Sequence, residues 1–435
     1  MALAVDRHLA ILAGISLSFV AVKALRRFIK KRQNNAPLPP GPVPLPLLGS
    51  VLSINAYEPW PTYTEWSAVY GDLLFVRSLD EEITSQKPYW TSVLVLTISS
   101  NTRAVAKFRP MQIKCAREII VNLVDDPQNY HDHFATFSLS VVMSTVYDYD
   151  IGALDDPMVQ TVIKALVPGL TVLTPERALL LKTFPFLLKV PDWCWGSSIK
   201  RSARGSRERL NAMADIPFRY VQQHMADSSL VAQSSMVAEN LRRMERQEEA
   251  FKPIFENALN KAGTTAIIAS YETTAATLMV FFLAMVLYPE VQKRAQAEID
   301  SVVGKERLRT EHRYPTSMQS CERLGDGSLS CLLAYHMPLR VMMYTMGISF
   351  QKRYPDASNF IPERFIDSDG ALTSDDPAQY IFGLGRRICP GRYNADSSAW
   401  AAIAIMLATL DISSAKDSQG KAINFTPKFI PGVVR

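Results

Sequence analysis

Between Pro253 and Pro289 no proline interrupts a largely apolar stretch of about 35 residues, which as one helix would reach roughly 50 Å. Pro253 suits a helix start and Pro289 a position just past an end. A helix that long and that apolar has to be central to its domain, with the rest of the chain packed around it. Midway along it stands Ala269-Ser270-Tyr271-Glu272-Thr273-Thr274, an acid followed directly by hydroxyls. Glu-Thr-Thr alone is common in ordinary helices. It gains meaning from a second stretch downstream.

That stretch is Phe382-Gly383-Leu384-Gly385-Arg386-Arg387-Ile388-Cys389-Pro390-Gly391. A thiol beside two cations and a glycine-rich turn sits in an electropositive setting, which favours thiolate over thiol and makes Cys389 a soft metal ligand. Gly383, Gly385 and Gly391 let backbone approach something flat and let amide N–H groups point at the sulfur. Gly391 then opens an apolar helix running from Arg392 towards Leu410. The bland alternative is a structural cysteine in an unrelated loop.

These residues resemble the haem-binding signature of the cytochromes P-450, Phe-x-x-Gly-x-Arg-x-Cys-x-Gly, matched by Phe382, Gly385, Arg387, Cys389 and Gly391. The Ala269–Thr274 segment is similar to the same family's oxygen-activation motif, with Ser270 where glycine is usual. The resemblance, to the microsomal and fungal type, implies a mainly α fold with a small β region and haem b between the long helix and the Cys loop. Cys389 would be the axial ligand of the iron, Arg387 would pair with a haem propionate, and Phe382 would pack beside the sulfur. Splitting an O–O bond consumes two protons, so Glu272 and Thr273 would form the proton relay. The implied reaction inserts one oxygen atom of O2 into a lipophilic molecule. Its electrons come from NADPH only indirectly, through a flavoprotein reductase docking near Arg386. The substrate could be a secondary metabolite, a sterol or terpenoid, a fatty acyl chain or a polycyclic aromatic xenobiotic. Two alternatives stay open: a haem-thiolate isomerase or dehydratase, and a haem-deficient pseudoenzyme or coding artefact anchored in the membrane.

A net charge of +5 over 435 residues gives no reason to expect nucleic acid. The five cysteines are scattered and form no Cys-x-x-Cys pair, so neither a disulfide framework nor a zinc site is expected. Leu9 to Val22 is an apolar run followed by Lys23, Arg26, Arg27, Lys30, Lys31 and Arg32. Residues 1–36 therefore read as a single-pass anchor, and the cation bias puts the remainder on the cytoplasmic side. Applied to the family, that means the endoplasmic reticulum membrane. A signal peptide is the competing reading. Residues 37–46 are a proline-rich hinge, leaving 37–435 as the catalytic domain.

Pro59 to Gly71 reads as a short amphipathic helix, residues 73–79 as a strand, and Phe108 to Tyr147 as helical. His131 and His133 read as a surface pair. The two indoles Trp193 and Trp195 precede Lys200, Arg201, Arg204, Arg207 and Arg209, which reads either as a membrane-interface cluster or as a solvated helix face with two core tryptophans.

Two stretches depart from the family. Trp60, Trp66 and Trp90 lack an Arg four residues on, and too few residues separate Val76 from Phe108 for the usual N-terminal substrate region. The Glu-x-x-Arg helix expected after Gly304 is missing too, since Glu239–Arg242 and Glu306–Arg309 stand in the wrong context. Reading Pro315 to Lys352 from the third base of each codon, with suitable synonymous codons, spells a peptide containing Glu-Thr-Trp-Arg. Met318, Met337, Met342, Met343 and Met346, whose codons are unique, all comply. Residues 310–352 therefore read as out of frame, leaving Arg364 of Pro362-Glu363-Arg364-Phe365 as a cation without its designed partners.

Overall fold

Proline opens five of the nine described α-helices, at the position where a missing N–H costs no hydrogen bond. The computed structural model describes residues 105–152, 156–172, 185–194, 197–226, 235–246, 248–303 and 388–426, with shorter pieces at 40–43, 45, 50, 53–54, 59–70, 76, 181, 360–365, 368 and 382–383. Helix α1 is Pro59–Tyr70. Helix α2, Arg109–Asp125, carries Pro110 in its first turn. A short 3-10 turn at Pro127–Asn129 separates it from α3, Tyr130–Tyr147, so the helical stretch expected over 108–147 is two helices. Then come α4, Pro157–Val172, and α5, Ser198–Ala226, with Pro168 and Pro217 as exceptions inside them. Ser235 caps α6, Met236–Met244, by accepting the Ala238 N–H at 3.2 Å. Helix α7 is Lys252–Leu287, α8 is Pro289–Val303, and α9 is Arg392–Thr409.

Backbone proximity divides the chain into two units. One is Met1–Ile83 with Gly347–Arg353, whose described helix is α1; the other holds α2 to α9. The described residues are mainly α, with one isolated antiparallel bridge, Lys416 to Ala422, in the second unit. The anchor at 9–22, the strand at 73–79 apart from Val76, and residues 310–352 lie outside the described residues.

The 36-residue α7 is central, as its length demands. Its core residues fall into two apolar clusters. Ala275, Leu278, Phe281, Ala284 and Met285 join α2, α3, α8 and α9, whereas Leu259, Ala262 and Ile267 join α3, α4, α5 and α6. Among the described residues, α3 and α7 are the helices that run through both. They meet closely at Gly263, where an added Cβ would stand 2.4 Å from Tyr147 Oη and 3.4 Å from Val146 Cγ1. Further along, Phe134 of α3 meets Phe282 of α7 edge to face at 4.8 Å between centroids, with Tyr130 stacked on Phe282 at 6.2 Å. Among the described residues α7 is the one helix long and apolar enough to cross a membrane. Its apolar residues also have this core to fill.

Two expectations need correction. His133 is buried, its Nε2 2.8 Å from the Asp126 carbonyl, while His131 stays exposed beside Asp132; the α3 face bearing Phe134 and Phe137 carries His133 inward. Trp193 is no core residue: it is 86% exposed. The cations behind it are partly neutralised, because Lys200 and Arg204 reach the Asp192 carboxylate at 2.9 and 3.0 Å. Arg364 Nε donates to the Ile361 carbonyl at 3.3 Å, and the segment after Gly304 in which its designed partners are expected lies outside the described residues.

Candidate active site

The Cys389 loop is closed by its own backbone. Gly383 has φ 77°, a left-handed conformation that a side chain would strain, and the turn it makes lets the Cys389 N–H donate to the Phe382 carbonyl at 2.6 Å. Gly391 stands at the N-cap of α9. Among the described residues an added Cβ there would meet Cys389 Sγ at 4.0 Å, an ordinary van der Waals contact. Gly385 and Arg387 lie outside the described residues.

The sulfur is half-buried, and burial pushes its pKa up from the ordinary thiol value. The amide of Gly391, the charge of Arg392 and the amide of Arg392 pull the other way, in that order of strength. The amides therefore point at sulfur as expected, while desolvation outweighs them and raises rather than lowers the thiol's pKa. Arg392 is itself fixed. Its Nη1 donates to the Cys389 carbonyl at 3.3 Å, its Nη2 to Tyr393 Oη at 2.9 Å, and it lies over the Tyr393 ring at 4.2 Å.

Helix α9 carries this loop and is held at both ends by buried amides. In its first turns Asn394 Oδ1 accepts from Gln112 Nε2 at 2.8 Å, and Ser397 Oγ donates to Gln112 Oε1 at 2.7 Å. Beyond its last turn, Gln292 of α8 grips Ile412 as a second strand would. Gln292 Nε2 donates to the Ile412 carbonyl at 3.0 Å, and Gln292 Oε1 accepts the Ile412 N–H at 3.0 Å. Gln112 is 1% exposed and Gln292 2%, so each must have its full set of partners.

The Glu272–Thr273 turn lies on α7, which packs against α9 in one apolar cluster. Thr273 is exposed and its Oγ1 donates to the Ala269 carbonyl at 2.8 Å; Glu272 is half-buried. One turn of α7 has further hydroxyl contacts: Ser270 Oγ donates to the Ile267 carbonyl at 3.2 Å, and Ser138 of α3 donates to the Ser270 carbonyl. Ser270 therefore turns back on its own helix. Thr265, Ile268, Ala269 and Thr273 leave a mostly small, weakly polar stripe of this central helix uncovered by the described residues. Among those residues no three His, Cys, Asp or Glu side chains cluster to hold a metal. A single sulfur ligand suits a metal that brings its other ligands with it, as haem iron does.

Sequence reasoning missed Gln112 and Ser138. Gln112 had a legible signal: it shares a stripe with Cys115, Ala116, Ile119 and Leu123, so a polar amide stands in the apolar face of an amphipathic helix. Ser138 had none.

The family described as Cytochrome P450 matches residues 90–320 and 339–434, more than half of the chain. Among curated proteins, cytochrome P450 monooxygenase 136 of Postia placenta is 28% identical over 97% of this chain and 91% of its own length. Cytochrome P450 monooxygenase claR of Ampulloclitocybe clavipes is 26% identical over 97% and 88%. Cytochrome P450 monooxygenase COX2 of Coprinopsis cinerea is 28% identical over 92% and 87%. The first alignment runs over 492 positions against the 435 residues of this chain, so that relative has residues with no counterpart here.

Proposed function

We propose, since the chain belongs to the cytochrome P450 family, that it oxygenates a lipophilic small molecule at a site built on Cys389, Glu272 and Thr273. Its enzyme class is monooxygenase, and the family's haem, held by a cysteine thiolate and supplied with electrons by a reductase, provides the redox chemistry when bound. Cys389 is that thiolate. Coordination to the haem iron would offset the burial that raises the thiol's pKa, and the Gly391 and Arg392 amides would take up part of the sulfur's charge. Phe382 and Gly391 flank it, while Gly385 and Arg387 serve the same cofactor on the strength of the motif alone.

The overall reaction consumes substrate R–H, O2, two protons and two electrons, and yields R–OH and water. Thr273 holds a proton on Oγ1 at the uncovered face of α7, and its hydroxyl can exchange Ala269 as acceptor for a nearer reacting oxygen. Glu272, next in sequence and half-buried, passes replacement protons inward from solvent. Ile268 and Ala269 on the open stripe favour apolar substrate, in keeping with a secondary metabolite, a terpenoid or a fatty acyl chain. The partner is an NADPH-dependent flavoprotein reductase meeting the cationic face near Arg386. The apolar run 9–22 with its following cations anchors the chain to the endoplasmic reticulum, catalytic domain in the cytoplasm. Residues 310–352 are out of frame; the family match breaks at 321–338 within them and continues over 310–320 and 339–352.

The observation that carries this reading is the loop in which Gly383 turns the chain and two helix-initiating amides face the Cys389 sulfur. Turnover under isotopically labelled O2, with reductase and NADPH, tests it. One labelled oxygen atom in the product is expected; oxygen derived from water would contradict it.

A further inference from the structure

We infer that Gln112 is a positioning residue for the metal-binding sulfur, fixing the start of α9 so that its first amides stay aimed at Cys389. This rests on the reading of Cys389 as the ligand. The geometry is specific. Gln112 stands on α2, 282 residues before its partner Asn394, and uses both ends of its amide at once. Its nitrogen donates to Asn394 and its oxygen accepts from Ser397, so one side chain grips two successive turns of α9. The grip begins three residues after Gly391 and five after Cys389.

Gln112 is buried, and its partners Asn394 and Ser397 are half-buried. Gln112 is 1% exposed, so water cannot replace a lost partner cheaply, and a shift of α9 along its axis would break both bonds together. The apolar neighbours of Gln112 on α2, Cys115, Ala116 and Ile119, pack against α9 residues such as Ala402 and Ile403 without fixing a register. Apolar contacts of that kind tolerate small axial slides; two directional bonds do not. The amides of Gly391 and Arg392 belong to the first helical turn after the sulfur, so they move with α9. Gln112 touches neither sulfur nor substrate.

The test uses the haem-loaded full chain and Gln112→Met, which keeps length and apolar packing but loses both bonds. Hydrogen exchange at the amides of 391–397 should quicken about tenfold, the equivalent of roughly one net buried hydrogen bond. Exchange in α3 and α7 should be unchanged. The ferrous carbon-monoxide complex should lose part of its thiolate-type Soret band, and the haem reduction potential should shift, because the sulfur's hydrogen bonds have changed. If Gln112→Met does not fold, Ser397→Ala and Asn394→Ala decide, each removing one bond with smaller changes in the same readouts. Wild-type exchange and spectra in Gln112→Met, or in both α9 variants, would overturn the inference. A Cys389→Ser control separates the two claims: if it keeps the thiolate-type band, the ligand assignment fails whatever Gln112 does.

Discussion

Burial raises the pKa of Cys115 in the core and of half-buried Cys389 in its loop. Cys115 on α2 is pushed up to about 12, mainly by desolvation, with the charges of Glu118 and Asp150 adding to it. The folded thiol therefore keeps its proton where an unfolded one, ionising near 9.0, has lost it. The sign follows: this contribution to stability is complete below pH 9 and erodes as the pH rises above it. Alkylation of the native protein should accordingly label half-buried Cys194 well before Cys115, which peptide mapping would read. At Thr273 the expectation concerns the proton. Thr273→Ala should cut product formed per NADPH by about tenfold or more and raise peroxide release, with Thr273→Ser close to wild type. The chemistry of these side chains was legible in the sequence because residue type and spacing carry it. Burial was not: two positions decide whether His133 faces solvent, and only the packing of α3 on its neighbours shows that it does not.

Helices α3 and α7 approach at Gly263 with no space to spare. Gly263→Ala should destabilise the fold by about 1–3 kcal/mol, since its methyl would strike Tyr147 Oη. That hydroxyl is wholly buried and has no hydrogen-bond partner. Tyr147→Phe should therefore be neutral or stabilising alone, and should recover much of the loss when combined with Gly263→Ala. Thermal unfolding of the four proteins measures this directly. The bounds of α7 and α9 could be read from Pro253, Pro289 and Gly391, because helix ends are local chemistry. What holds α9 in place could not, because Gln112 and Gln292 lie more than 100 residues from the segments they grip.

Among the described residues of the second unit, α3 and α7 join the two apolar clusters, and α9 is held between Gln112 and Gln292. The gap in the family match at 321–338 falls within the segment that reads as out of frame. We expect cDNA spanning codons 305 to 355 to restore Glu-x-x-Arg. A message encoding the residues as they stand would instead predict poor haem retention. The central claim is that Cys389 supplies the haem-binding sulfur, and a carbon-monoxide difference spectrum of the reduced, haem-loaded protein and of its Cys389→Ser variant tests it most directly. We predict a thiolate-type Soret band in the first and none in the second. Absence of that band from the parent protein, or its persistence in the variant, would contradict the account.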